Sequence, residues 1–148
     1  MKPVDQDTFH VPGFANGNCM AACIASLFEV DLDEDVPNFV DFEGPLAWWD
    51  AARSWCRTRG YDLIRISSLD QVTRWADRPP GDHAIAGVPS PRGPWGHCVI
   101  VDRDGVVVHD PYPGGPTGHK AEQIDEVYLV VEPYEPFPTQ PADREEAS

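Results

Sequence analysis

The sequence predicts an α+β domain in which helices come first and antiparallel strands follow. Two segments between residues 18 and 59 carry apolar side chains at helical spacing, whereas valine- and isoleucine-rich runs separated by turn residues fill much of the second half. Strands and helices do not alternate as a parallel sheet requires. The 148 residues suffice for one hydrophobic core, assigned to residues 1–132, and the proline-rich, acidic residues 133–148 are predicted to form an extended tail.

The first predicted helix covers residues 18–29. Asn18 is a favoured N-cap residue, Gly17 lets the chain turn into the helix, and Cys19 falls in the first turn. The remaining positions separate into an apolar stripe and a neighbouring face of small side chains, which consists of Cys19, Ala22, Cys23 and Ser26. We therefore expect a central helix with its small face against the sheet.

A second helix is predicted after an acidic loop. The loop, residues 31–44, is expected to contain one helical turn at residues 32–36. Pro45 suits the first turn of the second helix, which ends at Arg59 before a glycine. The tryptophans of this helix are expected to form core or the wall of a groove; they are Trp48, Trp49 and Trp55.

The strands are predicted from short runs of β-branched residues between turn signals. A short amphipathic helix at residues 69–76 interrupts the series. The predicted strands are residues 61–66, 82–88, 96–102, 105–110 and 125–131.

The charge balance limits the possible partners. The chain has 25 acidic and 11 basic residues, a formal net charge of −14, without a basic cluster that could follow a phosphate backbone. Nucleic acid is therefore not expected as a partner, and neutral or cationic ligands are favoured. No segment resembles a signal peptide or a membrane span, and the four cysteines lack the density of a disulfide scaffold. We expect a cytoplasmic protein with free thiols and no membrane partner.

Cys19 is a candidate nucleophile because it lies at the start of a predicted helix. The unpaired N–H groups and the positive end of the helix dipole stabilise a thiolate and can bind a developing oxyanion. Cysteine is also a small apolar residue that is commonly buried. This segment alone therefore leaves catalysis and burial as alternatives.

A second segment that can support chemistry is a predicted hairpin at residues 96–110. Asp104 and Gly105, between two valine-rich runs, indicate a two-residue turn. That turn would pair Val101 with Val108.

This register places Asp110 and His97 on one face of the hairpin. The two residues lie diagonally, at a spacing that their side chains can bridge, so Asp110 can orient the imidazole of His97. His109 lies opposite Ile100 on the reverse face. A shift of one residue would exchange the two assignments.

These segments together resemble the papain-like cysteine peptidase superfamily. They are most similar to the small stand-alone relatives of the double-glycine leader peptidases, which occur in bacterial and phage genomes. The resemblance is carried by Gly17-Asn18-Cys19 with the run Ala-Cys-Ile-Ala-Ser-Leu, by Gly96-His97, and by His109-Asp110-Pro111. It implies a papain-like fold of N-terminal helices packed on an antiparallel sheet. It also implies that Cys19 is the nucleophile, His97 the general base and acid, and Asp110 the residue that holds the imidazole.

The same resemblance implies an oxyanion hole completed by the side-chain amide of an upstream glutamine. Gln6 is the only glutamine before Cys19 and is assigned this role. Asn16 and Asn18 lie nearer in sequence, but Asn18 is expected to cap the helix. Asn18 and Trp95, which lie beside the nucleophile and the histidine in sequence, are the candidate substrate-binding residues.

The expected activity is acyl transfer through a thioester on Cys19, most simply hydrolysis of a peptide or a small amide without a metal or cofactor. An amide-forming acyltransferase stays open, because the residues do not decide whether water or an amine accepts the acyl group. A non-catalytic binding module on a degenerate peptidase fold also stays open. Zinc is disfavoured because no Cys-x-x-Cys pair is present and adjacent strand residues point to opposite faces; its ligands would be Cys19, Cys23, His97 and Cys98.

Overall fold

Helices followed by one antiparallel sheet make up the computed structural model, which describes residues 1–11, 17–39, 47–71 and 83–131. The elements are α1 (Cys19–Phe28), α2 (Leu32–Asp35), α3 (Ala47–Thr58), β1 (Asp62–Ile66), β2 (Ala84–Pro89), β3 (Gly96–Val101), β4 (Val107–His109) and β5 (Glu126–Val131). The five strands are ordered β1-β5-β2-β3-β4, and every neighbouring pair is antiparallel. The α+β prediction is confirmed.

Helix α1 is the central element of the fold. Every side chain of residues 20–27 is at most 5% exposed, and the helix packs on β3. A helix that is apolar or small on all sides can be buried on all sides. Its small face was predicted to lie against the sheet. One member of that face, Ser26, also binds the N-terminal segment: its Oγ accepts a hydrogen bond from the Val4 N–H, 2.9 Å away, and its carbonyl accepts one from the Lys2 N–H.

Asn18 is the N-cap residue by position, but its side chain does not cap the helix. Its Oδ1 accepts hydrogen bonds from the N–H groups of Asp7 and Thr8, at 3.2 and 3.0 Å, and its Nδ2 donates to Asp7 Oδ1 at 2.8 Å. The prediction of a capping side chain is therefore wrong. Three bonds to a distant segment replace the single bond that a cap would make, and they fasten residues 7–8 to the start of α1.

The turn of the β3–β4 hairpin is one residue longer than predicted. Gly105 N–H donates to the Asp102 carbonyl at 3.0 Å, and Asp102 N–H donates to the Val106 carbonyl at 3.0 Å, so the turn comprises residues 103–105. Gly105 takes a φ of 82°, which a glycine adopts without strain. Val101 consequently pairs with Val107 and not with Val108.

An irregularity in the same hairpin restores the predicted register farther along. Between Ile100 and Val101 the pairing shifts by one residue, and Ile100 pairs with His109 as predicted. The longer turn and the bulge at Val108 offset each other, because the turn takes one extra residue, Arg103, from the β3 side and the bulge adds one residue on the β4 side. Asp110 therefore arrives where the sequence predicted it.

Helix α3 packs on β1 and extends toward the middle of the sheet. Arg53 and Arg57 both form ion pairs with Asp62 at 3.1 Å, and these pairs join the helix to the strand. Trp48 and Trp49 contact the ring of Tyr128 on β5, with ring centroids 6.0 and 5.8 Å apart.

Several predictions fall partly or wholly outside the described residues. Those outside the described residues are Asn16, the helix start at Pro45, residues 72–76 of the short helix, and the tail at residues 133–148. The described part of the short helix, Leu69–Gln71, forms a 3-10 turn. Within the described ranges, no helix has both the length and the apolar character needed to cross a membrane.

The Asn18 contacts predict a stability effect. Asn18→Ala removes three hydrogen bonds of a side chain that is 5% exposed and leaves two partly buried N–H groups without that acceptor, so we expect the free energy of unfolding to fall by about 1–3 kcal/mol. Urea-induced unfolding of the variant and the wild type measures this difference in free energy. Gln123→Ala removes an exposed amide and should change stability by less than about 0.5 kcal/mol; equal effects of the two changes would contradict this role of Asn18.

Candidate active site

A groove of about 590 Å³ lies where α1 begins and β3 begins, and Cys19 and His97 both line it. Its floor includes Gly87 and Val88 of β2, which pair with Cys98 and His97. Much of the remaining wall is aromatic and comes from Phe9, Phe39, Trp48, Trp95, Tyr112 and Tyr128. Concave, largely apolar walls with a few polar groups are typical of sites for small molecules or peptides.

Cys19 is the first residue of α1 and is partly exposed. The first helical hydrogen bond runs from the Ala22 N–H to the Asn18 carbonyl at 2.9 Å, so the N–H groups of residues 19–21 precede the helical ladder. The positive end of the helix therefore lies at the thiol. This is the placement that the sequence predicted.

His97 and Asp110 form a direct contact, as the hairpin predicted. His97 Nε2 lies 2.7 Å from Asp110 Oδ1, and the imidazole is 6% exposed. Because a carboxylate only accepts hydrogen bonds, Nε2 is the donor. Nδ1 is then the ring nitrogen left for the hydrogen bond that His97 makes with Cys19.

The electrostatics of this contact favour an ion pair between thiolate and imidazolium. The pKa of Cys19 lies well below its ordinary value, chiefly because of a hydrogen bond from the Cys98 thiol. The hydrogen bond and the charge of His97 lower this pKa further, whereas burial raises it. Burial would lower the pKa of His97, but the hydrogen bonds and charges of Asp110 and Cys19 raise it to about 9. Both shifts favour the thiolate and the imidazolium over the neutral pair.

Cys98 is a site residue that the sequence analysis missed. It was expected to point away from His97 because neighbouring strand residues alternate. Both residues nevertheless reach Cys19, and Cys98 contributes its thiol and its backbone N–H as donors to the sulfur. The pKa of Cys98 is raised well above its ordinary value by the hydrogen bond to Cys19 and by burial, so its thiol keeps the hydrogen that it donates.

The loop after β4 holds the Asp110 carboxylate in place. Tyr112 N–H donates to Asp110 Oδ1 at 3.0 Å, and Gly115 N–H donates to the Tyr112 carbonyl at 2.8 Å. A Cβ on Gly115 would lie 2.5 Å from Asp110 Cγ, so this approach requires a glycine. Burial would raise the pKa of Asp110, but the bonds from His97 and Tyr112 and the charge of Arg92 lower it.

Gln6 reaches the groove from the N-terminal segment. It is 5% exposed, and its backbone N–H donates to the Pro111 carbonyl at 2.7 Å. Its Nε2 donates to the Thr8 carbonyl at 2.9 Å and lies beside Gly17, two residues before the nucleophile. One hydrogen of Nε2 is used in this bond, so the amide keeps a second donor at this end of the groove.

The two residues predicted to bind substrate have different positions. Trp95 lines the groove, and its ring packs on His10 with ring centroids 4.5 Å apart. The ring also packs against Gly93, where an added Cβ would lie 2.1 Å from it. Asn18 does not line the groove; it is 5% exposed, and its amide is engaged with Asp7 and Thr8. Trp95 is therefore placed in the groove, whereas the Asn18 amide holds residues 7–8 beside it.

His109 is buried away from the contact between Cys19 and His97. Its Nε2 donates to the Val4 carbonyl at 2.8 Å, which holds the N-terminal segment against β4. Over the described ranges, no three or more His, Cys, Asp or Glu side chains are grouped to hold a metal ion.

The chemistry of the site must be argued from its geometry. The chain matches no protein-family model, no curated protein and no solved structure. The contacts of Cys19, His97 and Asp110 are therefore the basis for the functional interpretation.

The pKa differences predict selective alkylation. Limiting iodoacetamide at pH 7 should modify Cys19 first, because burial raises the pKa of Cys23 well above its ordinary value and that of Cys56 to about 12, and Cys98 keeps its hydrogen. The rate at Cys19 should rise less steeply between pH 7 and pH 9 than that of an ordinary cysteine, because the lowered pKa increases the thiolate fraction at the start of this range. Peptide mapping identifies the modified residue; preferential labelling of Cys56 or Cys98 would contradict the assignment.

The close approach of Gly115 predicts an effect on His97. In Gly115→Ala the new Cβ displaces the Asp110 carboxylate, so the imidazolium loses its partner, and the pKa of His97 should fall from about 9 toward 6.5. Titration of His97 by NMR measures this. Gly114→Ala, at a φ of 79° in open space, strains the same loop without touching Asp110; an equal fall in that variant would show that loop strain is the cause.

Proposed function

We propose that this protein is a cysteine-dependent hydrolase of amide or peptide bonds with a papain-like arrangement of Cys19, His97 and Asp110. One observation carries the proposal: in one groove at a helix N-terminus, His97 contacts Asp110 at 2.7 Å and interacts with Cys19, whose pKa is lowered. A nucleophile in contact with a base, which is itself oriented by a third group, is the arrangement that acyl transfer needs. A histidine with a purely structural role would not need to contact a thiol whose pKa is lowered and which lines a groove.

The first step is attack of the Cys19 sulfur on the carbonyl carbon of the bound amide. Because the site already favours the thiolate, His97 holds the proton before attack occurs. His97 then donates this proton to the leaving nitrogen as the carbon–nitrogen bond breaks. The products of this step are a thioester on Cys19 and a free amine.

The negative oxygen of the tetrahedral intermediate needs donors at the start of α1. The Cys19 N–H precedes the helical ladder and lies at the positive end of the helix. Gln6 is the side chain that we propose as the second donor, since its buried amide lies beside Gly17. Donors of this kind typically contribute about 2.7–4 kcal/mol to lowering the barrier.

The second step hydrolyses the thioester. With the amine gone, neutral His97 takes a proton from water, and the hydroxide formed attacks the thioester carbonyl. Asp110 stabilises the imidazolium that forms again, through the 2.7 Å contact with Nε2. Release of the carboxylic acid returns Cys19 and His97 to the ion pair.

The proposed substrate is a peptide or small amide that is neutral or cationic overall. The formal charge of −14 disfavours large anions, and the aromatic walls favour apolar side chains. The chemistry also requires a reduced Cys19, which agrees with the four free cysteines, and a reducing, cytoplasmic location is part of the proposal.

Substitution of the three residues tests the proposal. Peptide mixtures incubated with the protein, and analysed by mass spectrometry, should show cleavage that Cys19→Ala abolishes and that His97→Ala reduces nearly as far. Asp110→Ala should lower turnover by about 10²–10⁴-fold, because the imidazole loses its orientation and its counter-charge. An activated ester should add its acyl mass to the wild type and not to Cys19→Ala.

His109→Gln is the matched control for the histidine. His109 is buried at the neighbouring strand, and a glutamine amide can keep the bond to the Val4 carbonyl, so turnover should stay near that of the wild type. Loss of turnover in His109→Gln together with full turnover in His97→Ala or Asp110→Ala would refute the proposed triad.

A further inference from the structure

Arg92 lies on the side of the groove where the leaving group of the proposed reaction must bind. We propose that its guanidinium binds a carboxylate on the amine portion of the substrate, so that the enzyme cleaves amides whose leaving group is an amino acid or a peptide bearing a carboxylate next to the cleaved bond. This inference rests on the proposed function and adds a substrate class to it.

The leaving group is located by the proton that His97 must deliver. That transfer requires the leaving nitrogen to lie within about 2.6–3.2 Å of the ring. Arg92 and Trp95 belong to the loop between β2 and β3, which begins after the last pair, Pro89 with Gly96, beside His97. Tyr112 follows Asp110 closely. The groove residues around His97 therefore contact the amine portion of the substrate.

The guanidinium of Arg92 is held on an aromatic face. Its central carbon lies 3.7 Å above the ring centroid of Tyr112, and Phe9 packs edge-on against the same ring at 5.3 Å. Stacking of this kind uses the face of the guanidinium and leaves the N–H groups at its edge for a carboxylate. The group is thus oriented before a ligand arrives.

Arg92 differs from four other arginines of the chain in its ion-pair partners. Four other arginines form ion pairs with carboxylates of this chain, namely Arg53 and Arg57 with Asp62, Arg59 with Asp35, and Arg65 with Glu126. No carboxylate in the described ranges forms an ion pair with Arg92. Asp110 attracts it at longer range, but the Oδ1 of Asp110 accepts from His97 and Tyr112, and its Oδ2 faces Gly115.

The groove has an asymmetric charge distribution. Arg92 is the one lysine or arginine among the described residues that line it, and the lining carboxylates are Asp125 and Glu126, where β5 begins. Cys98 pairs with Gly87, which pairs with Glu126, so the backbone of Glu126 lies two strand spacings, about 10 Å, from that of Cys98. In a protein of formal charge −14, an anionic group is favoured beside a local cation such as Arg92.

A matched set of peptide amides tests the inference. All share one acyl group and one apolar residue after the cleaved bond, and they end in a free carboxylate, in a carboxamide, or in a carboxamide preceded by an aspartate. We expect kcat/KM for the free acid to exceed that for the carboxamide by about tenfold or more, as a charge-assisted bidentate contact provides. The aspartate peptide shows whether a side-chain carboxylate serves equally well as a C-terminal one.

Substitution of Arg92 assigns the preference to its charge. In Arg92→Gln the ratio of kcat/KM for acid over carboxamide should fall to near one, and Arg92→Lys should restore part of it. The preference should also decrease at high salt. The inference would be overturned if the wild type cleaved the free acid and the carboxamide equally well. It would also be overturned if Arg92→Gln lost activity on both peptides but kept the ratio of kcat/KM, because Arg92 would then act through Asp110.

A binding measurement separates this inference from the proposed function. Calorimetry with Cys19→Ala compares the affinities of the same peptides without turnover. Preference for the free acid that disappears in Cys19→Ala/Arg92→Gln supports the carboxylate site even if no amide is cleaved. Equal affinities would overturn it even if the wild type proves to be a hydrolase.

Discussion

The start of α1 lies against the start of β3, and the properties of the site depend on this contact. It brings the Cys19 sulfur to the imidazole of His97 and to the thiol and N–H of Cys98 in one place. The helix supplies a positive end, and the strand supplies the donors. Because α1 is buried on all sides, neither element can shift without disturbing the core.

The N-terminal segment connects this contact to the edge strand β4, which neighbours β3. Asn18 and Ser26 bind it along α1, whereas His109 and the Pro111 carbonyl bind it along β4 and the loop that follows. The segment thereby carries Gln6 into the groove beside the nucleophile. Polar side chains that would otherwise be costly to bury are satisfied by this segment, so the same bonds serve stability and positioning.

The arrangement of Asp110 shows how local deviations can compensate. The turn of the hairpin contains one residue more than the dipeptide Asp104-Gly105 suggested, and the bulge at Val108 corrects the register before Asp110. The sequence pattern therefore predicted the correct contact with His97 through an incorrect turn. Each one-residue shift in register moves the side chains of a strand to the other face of the sheet, so two such shifts are needed to return Asp110 to the face of His97.

The sequence by itself determined the order of helices and strands, the cysteine at a helix start, and the pairing of His97 with Asp110, because these follow from periodicity and from neighbours close along the chain. Only the tertiary structure decided that the Asn18 amide binds residues 7–8, that Cys98 contacts Cys19, and that Gly115 packs against Asp110. Alternation along a strand gives the face of a side chain, but not which distant atoms lie at its end. Those contacts depend on how α1, β3 and the loops pack together, and packing joins residues that no local spacing relates.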